Sequence, residues 1–392
     1  MRLNVLIIPD KFKSTLLASQ AAQAIARGWR RARPQDSLAL LPMTDGGDGF
    51  GEVISKLLRA QVQTIRTVDA AHRPREAKWW WEPKTRTAII ESAEVIGLAL
   101  LPPKHSHPFE LDTFGLAAVL QAATAQRAKR CLMGIGGSAT NEGGFGLARA
   151  LGWGFMDRNG KAIEHWTGLH KLNQIHAPRR RRWFRELLVA VDVQNELLGP
   201  RGATRVYGPQ KGLRQGDFQL AEGCLRHLAG IVQKKAGRNY ARLPGAGAAG
   251  GLGFGLAAFL GARLEPGFEL FGRHAALARH LSWADLVVTG EGTIDDSTLM
   301  GKGVGQIAKR CLDLSLPCVG LTGTIGASAS KLCAFTQTHA LTRLTTVEQA
   351  KARPAYWLKR LAQRAARAWS SAKMRPQRTR EAGRTVSYAR FG

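Results

Sequence analysis

Short apolar runs that break into polar, mostly glycine-rich turns recur along this chain, and that rhythm constrains its fold more than any other feature. Asn4 to Pro9 is followed by Asp10-Lys11-Phe12-Lys13-Ser14, and Ser37 to Pro42 by Thr44-Asp45-Gly46-Gly47-Asp48-Gly49. Arg130 to Met133 leads into Gly134-Ile135-Gly136-Gly137-Ser138-Ala139-Thr140-Asn141-Glu142-Gly143-Gly144. Leu187 to Val193, with Asp192 at its end, runs on through Asn195, Gly199 and Gly202 to Gly208-Pro209-Gln210-Lys211-Gly212. Ala284 to Thr289 opens into Gly290-Glu291-Gly292-Thr293-Ile294-Asp295, then Thr298 and Gly301-Lys302-Gly303. A buried strand, a polar turn and a helix, repeated, describe an open parallel sheet. Ligands of such sheets bind at the carboxyl ends of the strands.

Helical periodicity fills the gaps between these runs. Ala21, Ala22, Ile25 and Trp29 mark a helix over Leu17 to Arg33, and further helices are expected at Glu52 to Leu58, Phe114 to Gln126, Gly144 to Leu151 and Val304 to Arg310. A last one is built on Tyr356, Leu358, Leu361 and Ala365. Between Val62 and Leu101 the pattern changes to β-like runs, Val62 to Val68, Lys78 to Trp81 and Thr87 to Ile90, with no helix of similar length among them. At 392 residues the chain is too long for one ordinary core. The expected layout is an α/β domain made of residues 1–62 and 255–370, with a second, β-containing α/β domain, 63–254, inserted in it. Residues 371–392 are polar, basic and aperiodic, and are expected to be a disordered tail.

The turns hold an inventory of chemistry. Asp10 with two lysines at a strand end suits a phosphate or metal site, and equally a helix cap. Asp45 and Asp48, with Gly46 and Gly47, can present carboxylates to a divalent cation and amides to an anion. The Gly134–Gly144 loop ahead of an apolar helix makes an anion site from backbone N–H groups, although no Gly-Lys-Ser/Thr ends it. Pro244-Gly245-Ala246-Gly247-Ala248-Ala249-Gly250-Gly251-Leu252-Gly253 allows close packing of two backbones or of a ligand. Carboxylates, lysines and free amides together are what phosphoryl transfer needs. No Ser-His-Asp or Cys-His pairing accompanies them, and the histidines sit outside the glycine turns, which argues against zinc.

Charge and cysteine content exclude other classes. The formal charge of +28 invites a nucleic-acid reading, but it is spread over Arg179 to Arg182, Lys351 to Arg367 and the tail, with no recognition motif attached. Solvated basic faces are the expected reading, with no specific nucleic-acid partner. Five cysteines without CxxC spacing read as reduced thiols of a cytoplasmic protein. No apolar stretch approaches the roughly 20 residues of a membrane helix.

The chain resembles the type I glycerate kinases of bacteria. The resemblance rests on PDKFKSTL at 9–16, PMTDGGDG at 42–49, GIGGSATNEGGFGLARALG at 134–152, VDVQNELLGPRGATRVYGPQKG at 191–212, PGAGAAGGLGFGLAAFLGA at 244–262 and ADLVVTGEGTIDDSTLMGKGVGQIAKR at 284–310, in that order, over roughly residues 1–365. It implies a Rossmann-like parallel-sheet domain with the second domain inserted and a cleft between them. It further implies ATP, Mg²⁺ and D-glycerate as reactants and a phosphoglycerate, the 2-phospho isomer favoured, as product, in a monomer or homodimer. Carried onto this sequence, the catalytic set is Asp10, Lys13, Asp45, Asp192, Lys211, Glu291 and Asp295. Substrate and phosphate fall to Gly46, Gly47, Gly136, Gly137, Ser138, Thr140, Asn141, Gln210, Thr298 and Lys302, and the metal to Asp45 and Asp192. The chain departs from the family pattern at Lys11, Ser14, Phe50, Val304, the Asp112–Ala118 stretch and Asp295-Asp296-Ser297-Thr298, which lacks the usual glutamine. Those departures keep two alternatives open, a kinase for another small hydroxy acid and an inactive regulatory homologue. A nucleic-acid-binding protein is the alternative from another class.

Overall fold

The computed structural model describes residues 2–12, 15–102, 106–299, 303–326 and 329–369. Lys13, Lys302 and the 371–392 tail lie outside the described residues. Strands from the two ends of the chain build one parallel sheet: β1 (Asn4–Pro9), β2 (Ser37–Leu40) and, far along, the three strands that follow residue 285. The strands of the middle, in chain order, are β3 (Gln61–Val68), β4 (Pro74–Glu82), β5 (Thr87–Glu91), β6 (Arg130–Gly134), β7 (Gly154–Met156), β8 (Gln174–His176), β9 (Glu186–Val191) and β10 (Arg263–Pro266). The chain then returns to the first sheet with β11 (Leu286–Ile294), β12 (Cys318–Ile325) and β13 (Gln337–Ala340).

The first sheet has the order β13-β12-β11-β1-β2, parallel throughout. Renumbered within the sheet this is the 2-1-3-4-5 order of doubly wound folds, whose direction of winding reverses between β1 and β11. The second sheet runs β10-β9-β6-β5-β4-β3, with β5, β6, β9 and β10 parallel and the β3–β4 ribbon antiparallel at its edge. Its strands extend from residue 61 to residue 266, a wider stretch than 63–254. β7 and β8 form a separate small pair.

Period-2 alternation explains why strands so apolar fit here: each has two buried faces. In β1, Val5 and Ile7 pack on one side with Ala21, Ile25 and Trp29 of the helix Ala18–Ala32 and with Leu358 and Leu361 of the helix Pro354–Ala368. Leu6 and Ile8 face the other way, into a core shared with Ile89, Leu132, Leu188 and Ala190 of the second sheet. The helices Phe50–Leu58 and Gly267–His274 fill that shared layer. Phe50 is fully buried in it, a burial worth about 1.5–3 kcal/mol. This departure from the family pattern therefore serves packing between the sheets. The opposite face of the second sheet carries its own core, including Ile90, Met133, Val189 and the Phe145–Phe155 pair.

Two segments that read as turns are regular structure. Gly290-Glu291-Gly292-Thr293-Ile294 continues β11, paired with Leu321 to Ile325 of β12. Gly290 is needed there because a Cβ would stand 1.9 Å from the Leu321 carbonyl oxygen. Pro209-Gln210-Lys211 is the last turn of the helix Ala203–Lys211, ended by Gly212 at φ 107°. The pyrrolidine costs one helical hydrogen bond, yet the flanking residues keep helical form to Lys211.

Candidate active site

The turns at the carboxyl ends of both sheets meet in one crevice. Gly136 N–H donates to the Gly46 carbonyl at 3.1 Å, tying the β6 loop to the β2 loop. A side chain at 136 would put its Cβ 2.5 Å from Gly47 Cα, so glycine on both partners is what lets the two backbones touch. Glu91, the last residue of β5, accepts from Gly49 N at 2.8 Å and Gly51 N at 2.9 Å, a second tie between the sheets. Burial pushes its carboxyl up to about 7, against the pull of those two amides.

Asp10 leaves β1 at the point where the winding reverses, and its N–H donates to Gly290 O of β11 at 2.9 Å. It is buried, and burial first, then the charge of Asp45, pushes its carboxyl up to about 8; Lys11 opposes this and Glu291 adds to it. The Lys11 ammonium sits among the carboxylates of Asp45, Asp48, Asp10 and Asp192. It donates to the Asp48 carbonyl at 3.3 Å and lies 3.9 Å from its carboxylate. Burial works against the charge on Lys11, the four acids outweigh it, and the net shift is upward. Gly47 is part of this arrangement, since a Cβ there would stand 2.7 Å from Lys11 Nζ.

Further along β11, Glu291 accepts from the Thr298 hydroxyl at 2.8 Å, and Thr298 N–H donates to Asp295 at 3.2 Å. These three expected site residues form one hydrogen-bonded group, connected to Asp10 through Glu291.

The second-sheet side is built differently. Lys211 is buried at the end of its helix, where Nζ donates to Ser138 Oγ at 2.9 Å and to the Thr140 carbonyl at 2.7 Å. Burial holds its ammonium down to about 7, with only Glu142 working the other way. Glu142 is fully buried and accepts from Gly144 N at 2.9 Å and Gly146 N at 2.6 Å, at the start of the helix Phe145–Ala150. Burial and the Asp112 charge push its carboxyl up to about 8. Asn141 Nδ2 donates to Thr204 Oγ1 at 3.1 Å, while Asn141 Oδ1 and Thr140 Oγ1 are buried with no partner among the described residues. Tyr207 donates to Asn195 Oδ1 at 2.7 Å and lies near Asp192. Gln210 is exposed on its helix.

Asp10, Asp45 and Asp192 are thus brought together around an ammonium, and Gly46, Gly47, Gly136 and Gly137 line the contact between the loops. Ser138, Thr140 and Lys211 form a neighbouring group. Lys11 and Asp48, named in the sequence only as turn chemistry and not in the catalytic set, stand at the centre of the acidic group; Glu91, Glu142 and Tyr207 were assigned no role there. Glu91 follows a recognised strand and Glu142 lies inside the longest glycine loop, which were available signals; none marked Tyr207.

Mg²⁺ takes hard oxygen ligands, often one or two carboxylates plus substrate phosphates. Among the described residues no group of three His, Cys, Asp or Glu side chains is arranged to hold a metal unaided. The carboxylates flanking Lys11 have the right donor chemistry for a cation that arrives with a nucleotide.

Comparison with known proteins meets this geometry. The sequence profile of the Glycerate kinase family matches residues 5–370. A glycerate kinase of Halalkalibacterium halodurans is 37% identical over 326 residues, 82% of this chain and 86% of that protein. Glycerate 2-kinase of Escherichia coli K12 is 35% identical over 331 residues, 82% of this chain and 86% of that one. A crystal structure of a candidate glycerate kinase 2 from Salmonella typhimurium LT2 superposes with a TM-score of 0.76 at 29% identity, covering 93% of this chain and 98% of the other. The chain belongs to the glycerate kinase family and is an enzyme of that kind, a kinase that phosphorylates glycerate.

Proposed function

We propose that the reaction is transfer of the ATP γ-phosphoryl group to the 2-hydroxyl of D-glycerate, giving 2-phosphoglycerate and ADP. The observation that carries this is the pairing, in one crevice, of an acidic cluster around Lys11 with an anion-directed pocket at Lys211. In the transfer, the hydroxyl oxygen forms a bond to the γ-phosphorus as the bond to the β–γ bridging oxygen breaks. The hydroxyl proton passes to Asp10, the most enclosed carboxylate of the cluster, in its ionised form, a fraction that grows as pH rises toward 8. Asp45 and Asp192 would hold Mg²⁺, which neutralises phosphate charge when bound. Lys211, Ser138 and the amides from Gly136 to Asn141 bind the anionic oxygens of substrate, and Lys11 balances the acids.

Lys13 and Lys302 are assigned to nucleotide phosphates on their position in the motifs. Glu291, Asp295 and Thr298 hold the β11 end of the site in place, and Gln210 meets substrate at the rim. The two sheets act as two lobes, the first from the chain ends and the second inserted between them, that close to exclude water. The free thiols among the described residues accord with a reducing cytoplasm, and no helix among the described residues is long and apolar enough to cross a membrane.

A coupled assay with D-glycerate, ATP and Mg²⁺ that resolves 2- from 3-phosphoglycerate tests the proposal. Formation of the 2-isomer, abolished by EDTA, is the expected result. The 3-isomer, or faster turnover of another hydroxy acid, would overturn the assignment of product or substrate. Undiminished turnover in Asp192→Asn would remove that residue from the scheme.

A further inference from the structure

At the opposite end of the second sheet from the crevice, the amino ends of β6, β9 and β10 border a cavity of about 1050 Å³. Its inner wall is apolar, with Trp153, Phe184, Leu188, Val232 and Phe259. Its rim is cationic: Lys129, Arg181, Arg182, Arg185, Lys235 and Arg263 all contribute. This places part of the Arg179–Arg182 run, which the kinase reading leaves unused, at the mouth of a defined space.

Among the described residues Glu186 is the one acid on that wall, and it is already engaged, 2.9 Å from Arg130 and 3.6 Å from Arg263. Some of the rim is held in position by backbone: Arg182 donates to Phe184 O at 3.3 Å and Arg185 O at 2.7 Å, and Lys235 donates to Ile175 O. Among the described residues, the side chains of Lys129, Arg181 and Arg185 have no hydrogen-bond or ion-pair partner, so their charge is available to a ligand. Uncompensated cations crowded at the mouth of an apolar space repel one another, and an anion seated among them relieves that.

We infer that this cavity is a second binding site, for an amphipathic organic anion: an acyl or aromatic body ending in phosphate or carboxylate. The apolar wall takes the body and the rim takes the head. Its volume lies just above the roughly 300–1,000 Å³ usual for small-molecule pockets. A three-carbon hydroxy acid would leave it mostly empty and its apolar wall unused. The chain's own last residues are unsuited to it, since beyond Trp369 six basic side chains face only Glu381.

The test is fluorescence titration of the full-length protein with 8-anilinonaphthalene-1-sulfonate, followed by displacement. One probe should bind per chain, be displaced by dodecyl phosphate, and be unmoved by dodecanol, inorganic phosphate, ATP or D-glycerate. Arg181→Glu with Arg185→Glu, both on the exposed rim, should weaken probe binding about tenfold. Ala258→Trp, which fills the cavity from its half-buried wall, should abolish it. All three substitutions should leave glycerate phosphorylation unchanged. Absence of stoichiometric binding, displacement by ATP or D-glycerate, or binding indifferent to the rim variant would each overturn the inference.

Discussion

The crevice contains two lysines whose surroundings could hardly differ more. Lys11 lies among four carboxylates, and they raise its proton affinity despite burial. Lys211, buried beside the Gly134–Gly144 loop, donates to a hydroxyl and a carbonyl, and burial brings it down to about 7. One ammonium is balanced by the charges of nearby protein acids; the other is held by neutral dipoles that satisfy its donors without cancelling its charge. The contrast teaches a division of labour. A cation with its charge already balanced organises a cluster, whereas a buried cation without a contacting carboxylate is poised to receive an anion.

The sharpest way to break this division is at the acid side. Asp10→Asn keeps the size and burial of the side chain and removes its ability to take a proton. Its kcat should fall by about 10³, with ATP affinity retained, if Asp10 acts on the hydroxyl. Single-turnover kinetics with D-glycerate would check this. A loss in ATP affinity alone, with kcat intact, would reassign Asp10 to nucleotide binding.

On the other side, Lys211→Met should cost about 10² in kcat/KM, mostly as a raised KM for D-glycerate. Isosteric removal of the charge leaves Ser138 Oγ and Thr140 O without their donor, and circular dichroism would confirm that the helix Ala203–Lys211 persists. An equal loss in Ser138→Ala, without any change in Lys211→Met, would show the hydroxyl to matter and the ammonium not to.

The pH dependence of the same residue gives a smaller and more specific effect. With a folded value of about 7, Lys211 is charged below neutrality and loses its charge above it. Binding of D-glycerate to the nucleotide-free enzyme should therefore weaken by about fivefold between pH 7 and 8, and Lys211→Met should flatten that profile. Isothermal titration calorimetry in buffers of different ionisation enthalpy would also count the proton taken up. The linkage to stability has the opposite direction. In the unfolded chain Lys211 keeps its proton up to the ordinary 10.5, so the unfolded state binds more protons between about 7 and 10.5. This residue alone makes the fold more stable as pH rises through that window, and below 7 its burial cost is felt in full.

The contrast also marks how far the sequence carries. The β1, β5, β6 and β9 runs were legible because two-sided burial writes continuous apolar stretches, and Asp10, Asp45, Asp192 and Lys211 because each closes such a stretch or a glycine turn. Membership of two sheets was legible in outline from the switch to β-like runs after Val62. The β11 extension through Gly290-Glu291-Gly292 was not, because those glycines answer to the Leu321 carbonyl of a strand some thirty residues later. Lys11 reads in sequence as a departure from a motif. Its meaning appears only when loops at 45, 48 and 192 fold around it, a convergence that spacing does not encode. The basic cavity was hidden for the same reason: its rim gathers residues from 129 to 263.

The smallest expected effect tests whether Lys11 organises the acids. Lys11→Ser removes the ammonium and leaves Asp10, Asp45, Asp48 and Asp192 facing one another without a counter-charge. Paired charges at about 4 Å interact by about 4 kcal/mol at an effective dielectric of 20, but desolvation of the ammonium offsets most of that. A net destabilisation of about 1 kcal/mol remains. In EDTA at pH 7.5, a Tm lower by about 2 °C is the outcome expected for a chain of this size. Mg²⁺ should restore the difference in Lys11→Ser and do little for the wild type, because a divalent cation can settle among oxygens that Lys11 otherwise occupies. Equal Mg²⁺ responses in both proteins would mean that lysine and metal do not share these carboxylates, and that the cluster is organised by its backbone alone.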